Sequence, residues 1–212
     1  MRNALASLLL LAAPAVPALA QGVHLNAVIE PAGAPTICPG HEYVISSTGI
    51  LLDGGVLDLA PYVGDIVHLD TLDVTGTCPA KILQVTAITT PTATLEACGV
   101  PRPGCPMRFR VGPPTISQNL LAVSIGDQGF VNLGDPLGVL FLQSPIIVLG
   151  SAGPGGIFDV TVPALSPAGG SIQVQGLHVE VGPITGQIAL SNPIALNLVF
   201  GPACIDPGSC GF

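Results

Sequence analysis

Charge is scarce in this chain: 8% of its 212 residues are charged, and only 5 are Lys or Arg. Those bases are Arg2, Lys81, Arg102, Arg108 and Arg110. Nucleic-acid binding needs clustered Lys and Arg that neutralise phosphates and release counterions, so a chain of net charge −8 is not built for it. Aromatic residues stand at 4% with no Trp, which leaves few flat rings for stacking on bases or sugars. Long apolar runs are absent after residue 20. The longest, Leu137 to Leu149, is broken by Gln143, Ser144 and Pro145 and falls short of the roughly 20 residues of a membrane helix, so no transmembrane helix is predicted. An outer-membrane barrel would alternate apolar residues along its last strand, but Phe212, Cys210, Gly208 and Asp206 do not.

Glycine and proline are abundant, at 27 and 22 residues. With 49% hydrophobic residues, disorder is excluded, and the irregular Gly spacing excludes collagen. Closely spaced turns in a hydrophobic chain mean many short strands, so the fold class expected is all-β.

Residues 1–20 read as an export signal: Arg2, the apolar stretch Leu5 to Ala13, then Ala18-Leu19-Ala20 before Gln21. The expectation is a mature chain starting at Gln21, delivered to the periplasm, the cell surface or the extracellular space. No Cys follows the cleavage site, so no lipoprotein anchor is expected. Export to an oxidising compartment makes the six Cys three disulfides, with 15 pairings to choose from. Spacing favours Cys98 with Cys105 and Cys204 with Cys210, each closing a short Pro/Gly loop, and leaves Cys38 to Cys78. The sequence contains no Cys-x-x-Cys, and His24, His41, His68 and His178 are scattered, so no metal ligand and no cofactor is assigned.

Composition divides the mature chain into an N-terminal segment (21–35), a first module (36–99), a Pro/Gly/Cys linker (100–113), a second module (114–202) and a disulfide-closed tail (203–212). In the first module Asp65 to Val74 is a long strand candidate. Its inward set changes from Val67 and Leu69 to Leu72 and Val74, which places a bulge near Asp70-Thr71. In the second module Leu121, Val123 and Ile125 alternate, as do Phe158, Val160 and Val162, and Ile194, Leu196, Leu198 and Phe200. Period two is the mark of half-buried antiparallel strands, and about seven of them fit a sandwich. The change of phase at Gly176 suggests a second bulge.

Two resemblances follow from these runs. Val56-Leu57-Asp58-Leu59-Ala60-Pro61-Tyr62-Val63-Gly64-Asp65-Ile66-Val67-His68-Leu69, with Ile82-Leu83-Gln84-Val85-Thr86-Ala87-Ile88, resembles the central strands of bacterial OB-fold-like domains. That likeness covers about 60 residues and implies a small barrel binding oligonucleotides or oligosaccharides; the shortage of bases removes the first. Gly156 to Leu165, Ser171 to Gly176 and Ala189 to Leu196 resemble a C-terminal β-sandwich of exported environmental bacterial proteins, a structural appendage to which no catalytic residue belongs.

Catalytic motifs are missing. Gly150-Ser151-Ala152-Gly153 lacks the spacing of a nucleophile elbow and reads as a turn, and Lys81 stands in no phosphate loop. Asp53, Asp58, Asp65, Asp70 and Asp73 form an acidic group without the ordered calcium loop, so they read as solvated surface. His68, Gln173 and Gln175 read as outward strand positions, Asn192 as a turn, and Arg102, Arg108 and Arg110 as a solvated linker. The function expected is an exported, non-catalytic structural or adhesive protein of the cell envelope or extracellular matrix, with a cell-surface polysaccharide or envelope protein as partner. The rival is a carbohydrate or small-ligand module using a barrel face near Tyr43, Tyr62 and His68.

Overall fold

The computed structural model describes residues 22–33, 38–113, 117–126, 128–152, 156–163, 170–180, 186–199 and 203–211. The expected export signal lies outside them. The described residues form strands and two short 3-10 turns, with no α-helix.

Five strands, β1 (Gly22–Pro31), β2 (Tyr43–Ile45), β3 (Leu51–Asp53), β4 (Ile66–Asp73) and β5 (Ile82–Thr89), close into a barrel in the order β1-β2-β3-β5-β4, with β4 returning to β1. All contacts are antiparallel except that of β3 with β5. Closure leaves no free edge. Val23, Leu25, Ala27 and Ile29 of β1 point inward and join Val67, Leu69, Leu83 and Val85 in one apolar cluster. This is the OB-like barrel expected, but it begins earlier than the expected boundary at residue 36. Segment 21–35 carries β1, because buried Val23, Leu25, Ala27 and Ile29 alternate with outward His24, Asn26 and Val28.

The β4–β5 ladder shifts register between Asp70 and Thr71, where the sequence places a bulge. The mechanism differs from the expected one. Asp70 faces Ala87 and Thr71 faces Val85, so the extra residue is Thr86 of β5, whose hydroxyl donates to the Asp70 carbonyl at 3.0 Å. On β4 the alternation continues undisturbed, with Thr71 buried and Val74 exposed.

The rest of the chain is mainly a two-sheet sandwich. One sheet has the order β12-β7-β6, from β6 (Leu95–Gly99), β7 (Pro106–Val111) and β12 (Ile157–Thr161). The other, in the order β11-β8-β13-β14, uses β8 (Ser117–Ile125), β11 (Ile146–Ala152), β13 (Ser171–Glu180) and β14 (Gln187–Leu190), with β15 (Ile194–Asn197) also paired to β13. Leu95, Met107, Phe109 and Val111 face Leu121, Ile172, Val174 and Leu196 across the core. The expected linker 100–113 therefore carries strand β7 (Pro106–Val111): its Pro and Gly make the turn between β6 and β7, and the chain leaves the barrel after Thr89. No bulge occurs at Gly176, since the β13–β8 ladder runs through it without a shift. A Cβ there would stand 2.6 Å from a Val111 methyl, so the glycine serves the close approach of the two sheets.

A hairpin of β9 (Val131–Gly134) and β10 (Gly138–Leu140) joins the two halves. Val139 and the adjoining Phe141 enter the barrel cluster, while the hairpin covers the outer face of β13. Gln175, expected on a solvated face, is 1% exposed there. Its amide nitrogen donates to the Val139 and Ser191 carbonyls, both at 2.9 Å, and its oxygen accepts the Phe141 N–H at 3.0 Å. Gln173 is buried on the same face.

Disulfides join Cys38 to Cys78, Cys98 to Cys210 and Cys105 to Cys204. The two short loops favoured by spacing do not form. In the β6–β7 ladder Cys98 faces Arg108, three residues beyond Cys105 and so roughly 10 Å along the strand, too far for a bridge of about 4.4–6.8 Å between Cα atoms. Each Cys instead meets the tail, at Cα separations of 6.0 and 5.3 Å. These long loops constrain the unfolded chain by roughly 4–5 kcal/mol each in the chain-entropy treatment. Three disulfides fit an oxidising, exported environment, and no helix among the described residues is long and apolar enough to cross a membrane.

Candidate functional site

The antiparallel register of β1 and β4 places His24 opposite Asp70 and Asn26 opposite His68. Their side chains alternate with the buried set, so all four leave the barrel on its outer wall. His24 Nδ1 lies 2.6 Å from Asp70 Oδ1, and His68 Nε2 lies 3.4 Å from the same oxygen. The imidazoles stack with centroids 6.5 Å apart and planes 12° from parallel. Asn26 is buried because the second half of the molecule covers it: its amide nitrogen donates to the Leu190 carbonyl at 2.8 Å. A carbonyl only accepts, so the Asn26 oxygen faces the other way, 3.1 Å from His68 Nδ1. That oxygen in turn only accepts, which puts a proton on His68 Nδ1, so that in the neutral ring Nε2 is the nitrogen with the lone pair. His24, His68 and Asp70 each offer one metal-donor atom, all within 4.8 Å of one another. Chain spacing gives no hint of this grouping; the ladder creates it. His68 is correspondingly half-buried rather than simply solvated.

The three residues expected to share a ligand face do not share one depression. Tyr62 ends the turn Ala60–Tyr62 and lines an open groove of about 450 Å³ with Asp65, Ile66, Ile88, Thr89 and Thr90. Tyr43 lines another depression with Leu52, Asp53, Gly54 and Asp58. His68 lines neither and belongs to the His–Asp group.

Most of the acidic residues act locally. Asp53 accepts the Gly55 N–H at 2.9 Å and Asp58 the Ala60 N–H at 3.0 Å, short Asx turns of the usual kind. Asp73 accepts from Thr75 and, at 2.6 Å, from Lys81. Desolvation opposes the Asp73 carboxylate, but the Lys81 and Thr75 bonds and the Lys81 charge together hold its carboxyl below the usual range. Arg108 and Arg110 are cross-strand partners of Asp159 and Glu96, so this basic group is neutralised rather than free for phosphate. The Arg108 bond holds the Asp159 carboxyl low.

Other sequence readings change in the same direction. Ser151 is paired with Leu120 in β11 and makes no turn. Asn192 is buried, accepting the Leu95 N–H at 2.8 Å and donating to the Leu95 carbonyl at 3.1 Å, so a side chain replaces a strand partner. His178 is 1% exposed and bonds Asn119 Oδ1 at 2.8 Å. Burial pushes its pKa down, against the pull of Glu180. Gly112, at φ +83°, lets the chain pass so close that a Cβ would stand 2.5 Å from His178 Nδ1. The described histidine hydrogen bonds go to Asp70, Asn26 and Asn119, none of them a hydroxyl.

Comparison of the chain with protein-family models, with curated proteins and with solved structures finds no match. Its class is therefore set by architecture: an all-β, disulfide-linked protein in which a closed five-stranded barrel is docked on a two-sheet sandwich.

Proposed function

We propose that the chain is an exported, non-catalytic structural or adhesive protein that attaches to an envelope protein through the edge of its sandwich. One observation carries this reading. Strand β11 is the outermost of its sheet among the described residues, contains no charged residue, and exposes Ile146, Ile147, Val148 and Leu149, with Val148 60% accessible. Sheet edges are ordinarily blunted with charge or proline, because an open apolar edge accepts another strand. An apolar cavity of about 130 Å³ beside it, lined by Met107, Phe109, Ile125, Ile147 and Leu149 among others, offers a seat for the partner's side chains.

The test is co-sedimentation of the oxidised protein with isolated envelope, repeated with Val148→Lys. Retention of the native chain and release of the variant is the expected result. A native chain that stays wholly in the supernatant, or a variant that sediments as well, overturns the proposal. The groove at Tyr62 supports a second reading, a carbohydrate or small-ligand site: Thr89, Thr90 and Asp65 supply polar groups beside one ring. Binding to insoluble polysaccharide that Tyr62→Ala abolishes would favour it.

A further inference from the structure

We propose that His24, His68 and Asp70 bind a divalent transition-metal ion of borderline softness, of which Zn²⁺ is the representative. The donor set is two imidazole nitrogens and one carboxylate oxygen. Hard Ca²⁺ and Mg²⁺ favour shells built from oxygen, and soft ions favour thiolates, which this chain has committed to disulfides. Two nitrogens with one oxygen match zinc-type ions, and three protein ligands leave a further position for water. The group is partly open to solvent, with His24 and Asp70 each more than a third exposed, so an ion can reach it and keep that water.

The surroundings prepare the site. Metal-binding histidines characteristically donate their second nitrogen to a fixed acceptor, which sets the tautomer and the ring plane. Asn26 does this for His68, and Asn26 is itself held by the Leu190 carbonyl. The Thr86 bulge beside Asp70, with its hydroxyl on the Asp70 carbonyl, fixes that strand position; bulges commonly re-aim a side chain next to a site. Bond lengths of about 2.0–2.2 Å to a tetrahedral ion separate its donors by roughly 3.3 Å. His68 Nε2 and Asp70 Oδ1 already stand at 3.4 Å. His24 Nδ1 and Asp70 Oδ1, at 2.6 Å, open by less than an ångström when the ion takes the place of the proton between them.

The test is titration calorimetry of the oxidised full chain with Zn²⁺, beside the Asp70→Asn variant and the double variant His24→Ala with His68→Ala. Thermal unfolding of each protein confirms the fold, and Co²⁺ provides an optical readout of coordination. Expected are one Zn²⁺ per native chain at micromolar concentration, a loss of at least about tenfold in affinity for Asp70→Asn, no uptake by the double variant, and visible Co²⁺ bands in the native chain that are absent from the double variant. Absence of Zn²⁺ uptake by the folded native chain, or uptake that survives the double variant, overturns the site. The proposal is independent of the envelope reading, since Val148→Lys should leave Zn²⁺ binding intact.

Discussion

The interior of the barrel and the flanks of β13 are both buried, yet they are built from different chemistry. The barrel cluster is almost wholly aliphatic, from Val23 through Val85, because a closed sheet pairs its own backbone around the ring. Strand β13 has to share one side between two short strands, β14 and β15, with residues 191–193 between them. At that gap the ladder has no strand to continue it. Ser191 bonds both backbone groups of Gly176, at 2.8 and 2.9 Å, and Gln175 and Asn192 supply amide groups to neighbouring segments. Where strands close on themselves the core is apolar; where they end, side-chain amides complete the pairing. The contrast follows from the rule that buried backbone groups must find partners.

The most severe way to break this contrast is Gln175→Leu. The substitution adds apolar character to a buried site, yet it strands the Phe141 N–H and the Val139 and Ser191 carbonyls, so a loss of about 4 kcal/mol is expected. That is comparable to cutting a barrel residue, as in Leu69→Ala at about 3 kcal/mol. Urea unfolding of both variants checks it. A neutral Gln175→Leu would mean that the junction is held by packing, as the barrel is.

Gly176→Ala is expected to cost less, about 2 kcal/mol, by forcing Val111 off the opposing sheet. The same measurement decides it. An equally stable variant would show that the sheets can separate without loss, and the tight packing between them would then not bear on stability.

His178 distinguishes the two regions by pH. Its folded pKa lies below the ordinary 6.5 because burial disfavours the charged ring. The unfolded chain therefore takes up the proton first as pH falls. Its contribution is complete above pH 6.5 and is lost on acidification, by at most about 1.4 kcal/mol per pH unit until the folded state also protonates. Subtracting the pH profile of His178→Gln from that of the native chain should isolate this slope. Superimposable profiles would mean that His178 titrates alike in both states.

How far the sequence reveals this molecule depends on which residues are asked. Val67 and Leu69, like Leu83 and Val85, alternate as strands must, and the all-β class follows from such alternation. The barrel rests on the resemblance of residues 56–88. The place of the bulge coincides with a phase change that β4 does not have, because the extra residue is Thr86 of β5. The alternation of Val23, Leu25, Ala27 and Ile29 that makes β1 lies outside the expected module. The junction does not follow from alternation, because Gln173 and Gln175 stand at the polar positions of a half-buried strand; only the hairpin laid over them makes them interior. Cysteine pairing fails for a related reason, since proximity in the chain says nothing of the ladder register that sets Cys98 against Arg108. The His–Asp group is hidden by the same rule, its members being neighbours across β1 and β4 rather than along either.

The smallest expected effect sits where the two regions touch. Lys81, the only lysine, donates to Asp73 and lies 4.3 Å from the centre of the Phe130 ring, which packs edge-on against Phe141 of the junction. Both charged groups are partly exposed, so Lys81→Met should cost about 1 kcal/mol or less at neutral pH. Asp73, with its pKa lowered in the fold, stabilises above its ordinary 3.8, and this contribution disappears as pH falls through the folded value. Below that point the ion pair is gone while the lysine keeps its charge over the ring, so any remaining difference between native chain and Lys81→Met measures the cation–ring contact together with the altered stem. Repeating the comparison in a Phe130→Leu background removes the ring alone. A residual that vanishes there makes Lys81 a bridge between barrel and junction; an unchanged residual confines the lysine to the barrel and leaves the junction to its amides and to Phe141.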